Sequence, residues 1–595
     1  MNVSDYIIKF FYRKGAKTFF LLPGGGNMYL IDSVKKNNFN YLSFNHEQAA
    51  VIAAEGYTRI QNGIGVAIVT SGPGGTNSIT GIAGAWLDSL PLIVISGQVK
   101  TSDLKKRNLR QNGPQELPII EIVKPITKHA IQLNHNSNID YEINKALSIA
   151  TNGRKGPVLI DVPLDIQSKS YISEIKKIYS PVKKLTFKNN LFKKVFNKIK
   201  NSSRPLLFIG HGTRLSNSKK DFLKFISNYN IPCVFTWNAK DLLSYNHKLN
   251  LGSPGVVAKR FSNFAVQNCD LIIFLGSRLN LINSAFNKKK FAKNANKIFV
   301  DIDKTELDTD KLKNSININT DVKYFFNKLN SKKMNKNAFN KWIKFCNNQK
   351  NFFEKEKFST IRQNDCINHY DLMHKFSNLF KENDIIVTGS SGLAIEIFYT
   401  YFKNKTNQRI FLTTALGSMG YGLPSAIGAA SKTNKKTILI ESDGSFLFNI
   451  QELATIKTYK LPICIFLLNN KGYASIRNTQ KSYFKSRFVG TGSEDKMFYP
   501  NFKNIAKSFE INYFKVKKLK DLDFNYKKFI KNPIPTIIDI HLEKNATLLP
   551  KVSAVFKGSK IYSLPLEDMS PLLSLDELKK NILNKINQIS IDVRK

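Results

Sequence analysis

The stretch Glu441–Tyr473, ESDGSFLFNIQELATIKTYKLPICIFLLNNKGY, limits the fold more than any other part of this chain. An apolar run from Thr437 to Ile440 ends at Ser442-Asp443-Gly444, a helical pattern follows from Asn449 to Tyr459, and a second apolar run, Ile463 to Leu468, ends at Asn469-Asn470. Strand, helix and strand of this length predict a βαβ unit, whose two parallel strands end side by side. Asp443 and Asn470 should then face each other at the carboxyl edge of the sheet, where open α/β sheets bind ligands. Two hard oxygen ligands, with the main-chain carbonyl of Gly472, suit Mg²⁺, which binds through one or two protein groups plus phosphate oxygens. The helix after Gly444 offers free N–H groups and the positive end of its dipole to a diphosphate. Taken alone, the same stretch also reads as an ordinary βαβ turn with a polar rim.

Asp443-Gly444, then 24 residues, then Asn469-Asn470 resembles the thiamine diphosphate (ThDP) motif of the decarboxylase and acetolactate synthase superfamily, with Ser442 where that family usually has glycine. The resemblance implies that Asp443, Asn470 and Gly472 hold the metal and that Gly444, Ser445 and Tyr473 contact the cofactor. It also implies three doubly wound parallel-sheet α/β domains: a pyrimidine-binding domain over 1–172, a middle domain over 185–345 and a diphosphate-binding domain over 365–550. A tail over 551–595 follows, with a terminal helix expected from Leu575 to Ile589. Lys- and Asn-rich stretches near 173–200 and 330–360 read as linkers.

In the first domain Thr18–Leu22, Val66–Thr70, Leu92–Ser96 and Val158–Val162 read as buried strands. The N-terminal segment before them reads as an amphipathic helix capped by Ser4 and stopped by Gly15. The first strand runs into Pro23-Gly24-Gly25-Gly26, where missing side chains permit a tight turn and a close backbone approach to a ligand. HEQAAVIAAEGYTR follows, with Glu47 in the first turn of a helix, a position where a carboxylate commonly serves the helix dipole. This segment resembles the one carrying the near-universal glutamate of ThDP enzymes, so the resemblance makes Glu47 the catalytic residue that exchanges a proton with the aminopyrimidine. Gly72-Pro73-Gly74-Gly75-Thr76-Asn77 resembles the family's next turn, and Ser96-Gly97-Gln98-Val99 the strand end whose Gln lines the substrate side. Pro114-Gln115-Glu116 departs from the Phe-Gln-Glu usual in acetolactate synthases.

The middle domain carries Gly210-His211-Gly212 and Gly276-Ser277-Arg278, neither a full GxGxxG. FAD without a redox role occurs in some relatives, so the resemblance leaves FAD open, with a purely structural domain as the alternative. Where acetolactate synthases place an arginine for the acceptor carboxylate this chain has Ile282, and where they place a tryptophan it has Thr479. An isoleucine cannot replace a bidentate guanidinium. In the third domain Ser390 and Ser391 stand where diphosphate contacts are expected, and Gly417, with Met419 as the prop, resembles the segment that bends the cofactor. Arg477, Asn478 and Gln480 read as polar contacts at the cofactor mouth. The PLEDM tail resembles a subgroup thought to act on sugars and reads as a cover for the active site.

Of 595 residues, 90 are Lys or Arg and 44 Asp or Glu, a formal charge of +46, which raises nucleic acid or an anionic membrane as a partner. The distribution argues against a dedicated partner of either kind: Tyr41 to Val99 contains no lysine, and no nucleic-acid-binding signature or membrane-length apolar run occurs. Five scattered cysteines without a CxxC pair suggest reduced core thiols and a cytoplasmic protein. The expectation is a ThDP- and Mg²⁺-dependent homodimer or tetramer with its site between subunits. It decarboxylates a 2-keto acid such as pyruvate and transfers the two-carbon unit to an acceptor carbonyl, with a nucleotide-linked keto sugar as the sharpest candidate. The alternatives are a true acetolactate synthase, a decarboxylase or oxidase, and a ThDP- or nucleic-acid-binding protein without turnover.

Overall fold

The computed structural model describes residues 1–61, 63–105, 108–173, 185, 187–309, 315–358, 366–390, 392–433, 436–557 and 560–594. Its core is three parallel sheets. Runs such as Gly65–Val69 and Leu92–Gln98 are apolar without alternation and buried along their whole length, as strands covered by helices on both faces must be.

The first sheet consists of β1 (Thr18–Leu21), β2 (Asn40–Ser43), β3 (Gly65–Val69), β4 (Leu92–Gln98), β5 (His129–Gln132) and β6 (Pro157–Pro163), in the order β2-β1-β3-β4-β6-β5. The second contains β7 (Pro205–Ile209), β8 (Cys233–Phe235), β9 (Leu271–Leu275), β10 (Asn296–Asp301) and β11 (Ser315–Asn319), in the order β11-β10-β9-β7-β8. The third is built from β12 (Ile385–Thr388), β13 (Arg409–Phe411), β14 (Thr437–Ser442), β15 (Ile463–Asn469), β16 (Asn512–Val516) and β17 (Thr536–His541). Its order, β13-β12-β14-β15-β17-β16, repeats that of the first sheet strand for strand.

Helix Glu47–Gln61 of the first domain packs on helix Gly422–Thr433 of the third almost main chain to main chain. A Cβ on Gly56 would stand 2.2 Å from the Ser425 carbonyl oxygen, and one on Gly428 only 1.8 Å from that of Ala53. The two domains therefore share one apolar core, which includes Ala50, Ala53, Tyr57, Leu423, Ala426 and Ile427.

Several expectations need correction. The first helix, Val3–Arg13, is capped by Asn2, whose side chain accepts the Asp5 N–H at 2.7 Å, while Ser4 donates to the Gln167 carbonyl. Both Lys-rich linkers contain amphipathic helices. Asn189–Lys200 buries Phe192, Val195 and Ile199, and Asn340–Phe353 buries Trp342, Ile343, Cys346 and Phe353, so the charge reads as their solvated faces. Residues 174–184 and 359–365 lie outside the described residues. The terminal helix is two short pieces, Leu575–Asn581 and Gln588–Asp592. Within the chain this tail lies against the middle domain: Leu578 and Ile582 pack with Phe261, Phe264 and Phe353, and Arg260 donates to the Met569 and Pro571 carbonyls. Among the described residues no helix is long and apolar enough to cross a membrane.

Candidate active site

The register Ser442↔Leu468 brings the ends of β14 and β15 side by side, as the βαβ reading requires. Asp443 is wholly buried; its Oδ1 accepts the Gly444 N–H at 2.8 Å and its Oδ2 the Gly472 N–H at 3.1 Å. Burial pushes its carboxyl up to about 7, so a cation beside it would favour the ionised form. The Oδ1 of Asn470 is buried with no hydrogen-bond partner among the described residues. The Gly472 carbonyl accepts the Ala474 N–H at 3.2 Å, and a carbonyl oxygen has a second lone pair to offer. This all-oxygen donor set fits Mg²⁺. Gly472 has φ +135°, and a Cβ there would lie 2.2 Å from the Thr491 carbonyl, so the turn depends on glycine. The Tyr473 ring lies on Gly444, where a Cβ would come within 2.4 Å of Cε1. The helix after Asp443 is not continuous. One turn, Asp443–Phe446, passes through a 3₁₀ segment broken at Asn449 into Leu453–Thr458.

Two further loops meet this one. The Ser390 hydroxyl donates to the Ser418 carbonyl, and the Gly420 N–H donates to Ser445 Oγ at 3.0 Å. Gly417 has φ +67° with open space around it, and Met419 is half-buried beside it. Ser391 lies outside the described residues. Arg477, Asn478 and Gln480, expected at the cofactor mouth, are committed inside the protein. Asn478 donates to the Ala546 carbonyl, Gln480 pairs twice with the main chain of Val489, and Arg477 donates to the carbonyls of Asn470, Lys471, Thr491 and Lys544.

In the first domain the structure brings Glu47 and Asn77 together: Asn77 Nδ2 donates to Glu47 Oε2 at 3.0 Å, and Glu47 is buried. Gly72, at φ +59°, starts the helix that carries Asn77 and has the Gln115 carbonyl 2.6 Å from its would-be Cβ. Pro23 and Gly25 are exposed, whereas Gly24 lies against Thr70, whose Oγ1 accepts the Gly26 N–H at 3.1 Å. Gln98, expected on the substrate side, is buried and turned inward, with Nε2 3.3 Å from the Leu117 carbonyl and 3.2 Å from Asp161 Oδ2. The hydrogen bonds described for Glu47 and for Asp443 each stay within one domain.

A cavity of about 450 Å³ opens where the middle domain meets the other two. Gly210-His211-Gly212 and Gly276-Ser277-Arg278 form part of its wall, with Asp301, Asp321, Arg154 and Thr414 around it. A Cβ on Gly210 would be 2.1 Å from the Gly276 carbonyl, so the two glycine turns pack on each other and leave backbone facing the cavity. His211 is held well below its usual pKa by burial and by Arg59, Arg409, Arg214 and Lys155.

Comparison with known proteins places this geometry. Residues 1–122, 192–329 and 389–540 match the thiamine pyrophosphate enzyme families described as the N-terminal TPP binding domain, the central domain and the C-terminal TPP binding domain. The chain is 31% identical over 576 residues to an acetolactate synthase large subunit of Lactococcus lactis, covering 95% of this chain and 96% of that one. This chain belongs to the thiamine diphosphate-dependent, acetolactate synthase-like enzymes. Chloroplastic acetolactate synthase 1 of Nicotiana tabacum is 31% identical over 92% of this chain and 83% of its own length. A probable acetolactate synthase large subunit of Methanococcus aeolicus is 29% identical over 99% of this chain and all of its own. In fold the chain resembles a ThDP-dependent 4-hydroxybenzoylformate decarboxylase of Rhodococcus jostii, with TM-score 0.78 and 18% identity over 91% of this chain and 99% of that one.

For an enzyme of this kind, sequence reasoning missed two features. Discounting the middle-domain glycine turns for want of GxGxxG hid the cavity; a signal was available in paired glycines at the ends of two buried strands, β7 and β9. The bracing role of Arg477 had none, because its partners are main-chain carbonyls.

Proposed function

We propose that this enzyme decarboxylates a 2-keto acid of the pyruvate class and joins the two-carbon unit to an acceptor carbonyl other than a simple 2-keto acid, with a nucleotide-linked keto sugar as the leading acceptor. The observation that carries the acceptor reading is Ile282. It lines the interdomain cavity with half its surface exposed, where the resemblance places an arginine for the acceptor carboxylate. Thr479 adds no substitute, since its hydroxyl is turned back on the Ser475 carbonyl of its own helix. An acceptor with one carboxylate fewer removes the need for that guanidinium.

ThDP, when bound, supplies the electron sink for decarboxylation and carbon–carbon bond formation. Asn77 fixes Oε2 of Glu47, which leaves Oε1 to exchange a proton with a ring nitrogen of the cofactor. Asp443, Asn470 and the Gly472 carbonyl would hold Mg²⁺. Gly24, Gly25, Gly72, Gly417, Met419, Gly444, Ser445 and Tyr473 would shape the cofactor's bed, and Ser390 would fix its third-domain wall. Because Glu47 and Asp443 bond within separate domains, the reading joins them in a homodimer or tetramer, each site shared between two subunits. The size of the middle-domain cavity and its backbone-lined glycine turns support FAD there. All five cysteines are unbridged, in keeping with a reducing cytoplasm.

A second reading, acetolactate synthesis from two 2-keto acids, is favoured by the relatives themselves. Purified protein with ThDP, Mg²⁺ and isotope-labelled pyruvate, assayed with and without a keto-sugar nucleotide, separates the two. Label appearing mainly in a branched sugar nucleotide, with little acetolactate, supports the proposal. Rapid acetolactate from pyruvate alone would sink it in favour of the second reading.

A further inference from the structure

Among the described residues, Arg477 is a guanidinium buried beside the metal-ligand candidates, bonding the Asn470 and Lys471 carbonyls. Its relative exposure is 4%, and its two terminal nitrogens donate to main-chain carbonyls, while Nε has no hydrogen-bond partner among the described residues. Nη1 donates to Lys471 and Thr491 at 3.0 Å each, and Nη2 to Asn470 and Lys544 at 3.0 Å each. These four carbonyls belong to three separate loops: the end of β15, the segment that returns past Gly492, and the segment after β17. Asn470 and Gly472, which carry two of the three metal-ligand candidates, lie on the first of them. Gly472 itself is squeezed between Arg477 and Thr491, since a Cβ there would stand 2.5 Å from Nη1 and 2.2 Å from the Thr491 carbonyl. Glu494 is too far from Nε, at 3.9 Å, to replace any of these bonds.

A five-donor planar fork can hold several carbonyls at fixed angles, whereas an ammonium reaches one or two without that planarity. The Asn470 carbonyl and its own unpartnered Oδ1 belong to one residue. Fixing the carbonyl fixes the direction in which Oδ1 is presented.

We propose that Arg477 is a positioning residue for the metal-binding loop: by holding the Asn470, Lys471, Thr491 and Lys544 carbonyls together, it sets the orientation of Asn470 Oδ1 and of the Gly472 carbonyl toward the divalent cation. The inference rests on the Mg²⁺ reading of this site. It assigns Arg477 to metal affinity and leaves the reacting atoms to other residues.

The test is Mg²⁺-dependent ThDP binding by titration calorimetry on the full-length protein, for wild type, Arg477→Lys and Arg477→Met, with thermal unfolding as a check on folding. The expected result is a weakening of the Mg²⁺ midpoint by about 10-fold or more in Arg477→Met and by an intermediate factor in Arg477→Lys. Lost turnover should recover in part as Mg²⁺ is raised at saturating ThDP, because excess cation refills a loosened site. Arg477→Lys keeps the buried charge and provides the measurement if Arg477→Met does not fold. Folded variants with wild-type Mg²⁺ midpoints, even with a lowered melting temperature, would overturn the inference and leave a structural brace. Wild-type protein that binds ThDP equally well without Mg²⁺ would overturn the metal-site reading itself, and the inference with it.

Discussion

The first and third domains share one strand order but present different groups at its carboxyl edge. In both sheets the loop after the third strand in chain order opens at the carboxyl edge. After β3 it is Thr70–Asn77, rich in glycine, and it ends on an amide that holds Glu47. After β14 it is Asp443–Ser445, which begins with a buried carboxylate, and the neighbouring β15 leads to Asn470, whose amide oxygen has no partner among the described residues. The helix after the second strand shows the same division. Glu47–Gln61 begins with a carboxylate, whereas its counterpart Gly422–Thr433 begins with glycine and serves to pack against it. The scaffold thus fixes where chemistry can occur, and under the proposed reading a few residues at strand ends decide which half would bind metal and which would handle a proton.

The largest expected effect breaks the third-domain half. Asp443→Ala should abolish Mg²⁺-dependent ThDP binding, read directly by calorimetry, and with it all turnover, while unfolding stays cooperative. Breaking the first-domain half should look different. Glu47→Gln should still bind ThDP with Mg²⁺ but lose about 10²- to 10⁴-fold in kcat, the usual worth of a positioned acid–base group. If Glu47→Gln lost cofactor binding as completely as Asp443→Ala, the division between the halves would be wrong.

How far the sequence revealed this division depends on where residues lie in the sheet. Asp443 and Asn470 were legible because they end interior strands, whose uninterrupted apolar runs leave little doubt of type or direction. His129–Gln132, Ser315–Asn319, Arg409–Phe411 and Asn512–Val516 are edge strands only three to five residues long and never fully buried, too short for their local pattern to set them apart firmly from loops. The helices hidden in Lys- and Asn-rich sequence show the converse. Phe192, Val195 and Ile199 follow helical spacing, but the charge around them suggested a linker. Side chains whose partners lie far along the chain defeat local reading altogether: Arg477 reaches a carbonyl 67 positions away, and Gln98 donates to the Asp161 carboxylate 63 positions away.

The junction between the two domains is the next place to test. Arg59 is wholly buried and pairs with Glu55 at 2.7 Å and Asp88 at 2.5 Å, while Tyr421 donates to Glu55 at 3.1 Å and the Thr414 hydroxyl to Asp88 at 3.0 Å. First-domain charges are therefore satisfied partly by the third domain. Arg59→Met leaves two carboxylates without their cation and should cost ~3–5 kcal/mol in urea unfolding. In the Lys36–Asp5 pair, by contrast, the lysine is largely exposed and the buried Asp5 keeps the Ser33 hydroxyl as a partner, so Lys36→Ala should cost less than ~1 kcal/mol and serves as the control. Equal losses in the two variants would mean that the junction is held by the apolar helix pair alone.

The smallest effect is a pair of opposed pH slopes, one in each domain. His369 is buried in the third domain, both ring nitrogens lack partners among the described residues, and burial lowers it to about 4. Between that value and its ordinary pKa the unfolded chain takes up a proton that the folded chain refuses, so stability falls as pH drops through this window. In the first domain Asp161 is also buried, and burial, only partly offset by bonds from Ser96, Gln132 and Gln98, raises it to about 6. There the folded chain keeps a proton that the unfolded chain has lost, so its contribution is full below the ordinary carboxyl pKa and is lost as pH rises toward 6. Each slope is at most ~1.4 kcal/mol per pH unit, and from pH 4 to 6 they largely cancel. Single variants should therefore expose what the wild type hides. His369→Phe removes the rising component and should become less stable between pH 4 and 6, relative to its own value at pH 4. Asp161→Asn removes the falling component and should become more stable over the same range. Parallel pH profiles for both variants would show that the two buried groups do not titrate separately, and that the domains share their response to acid as they share their core.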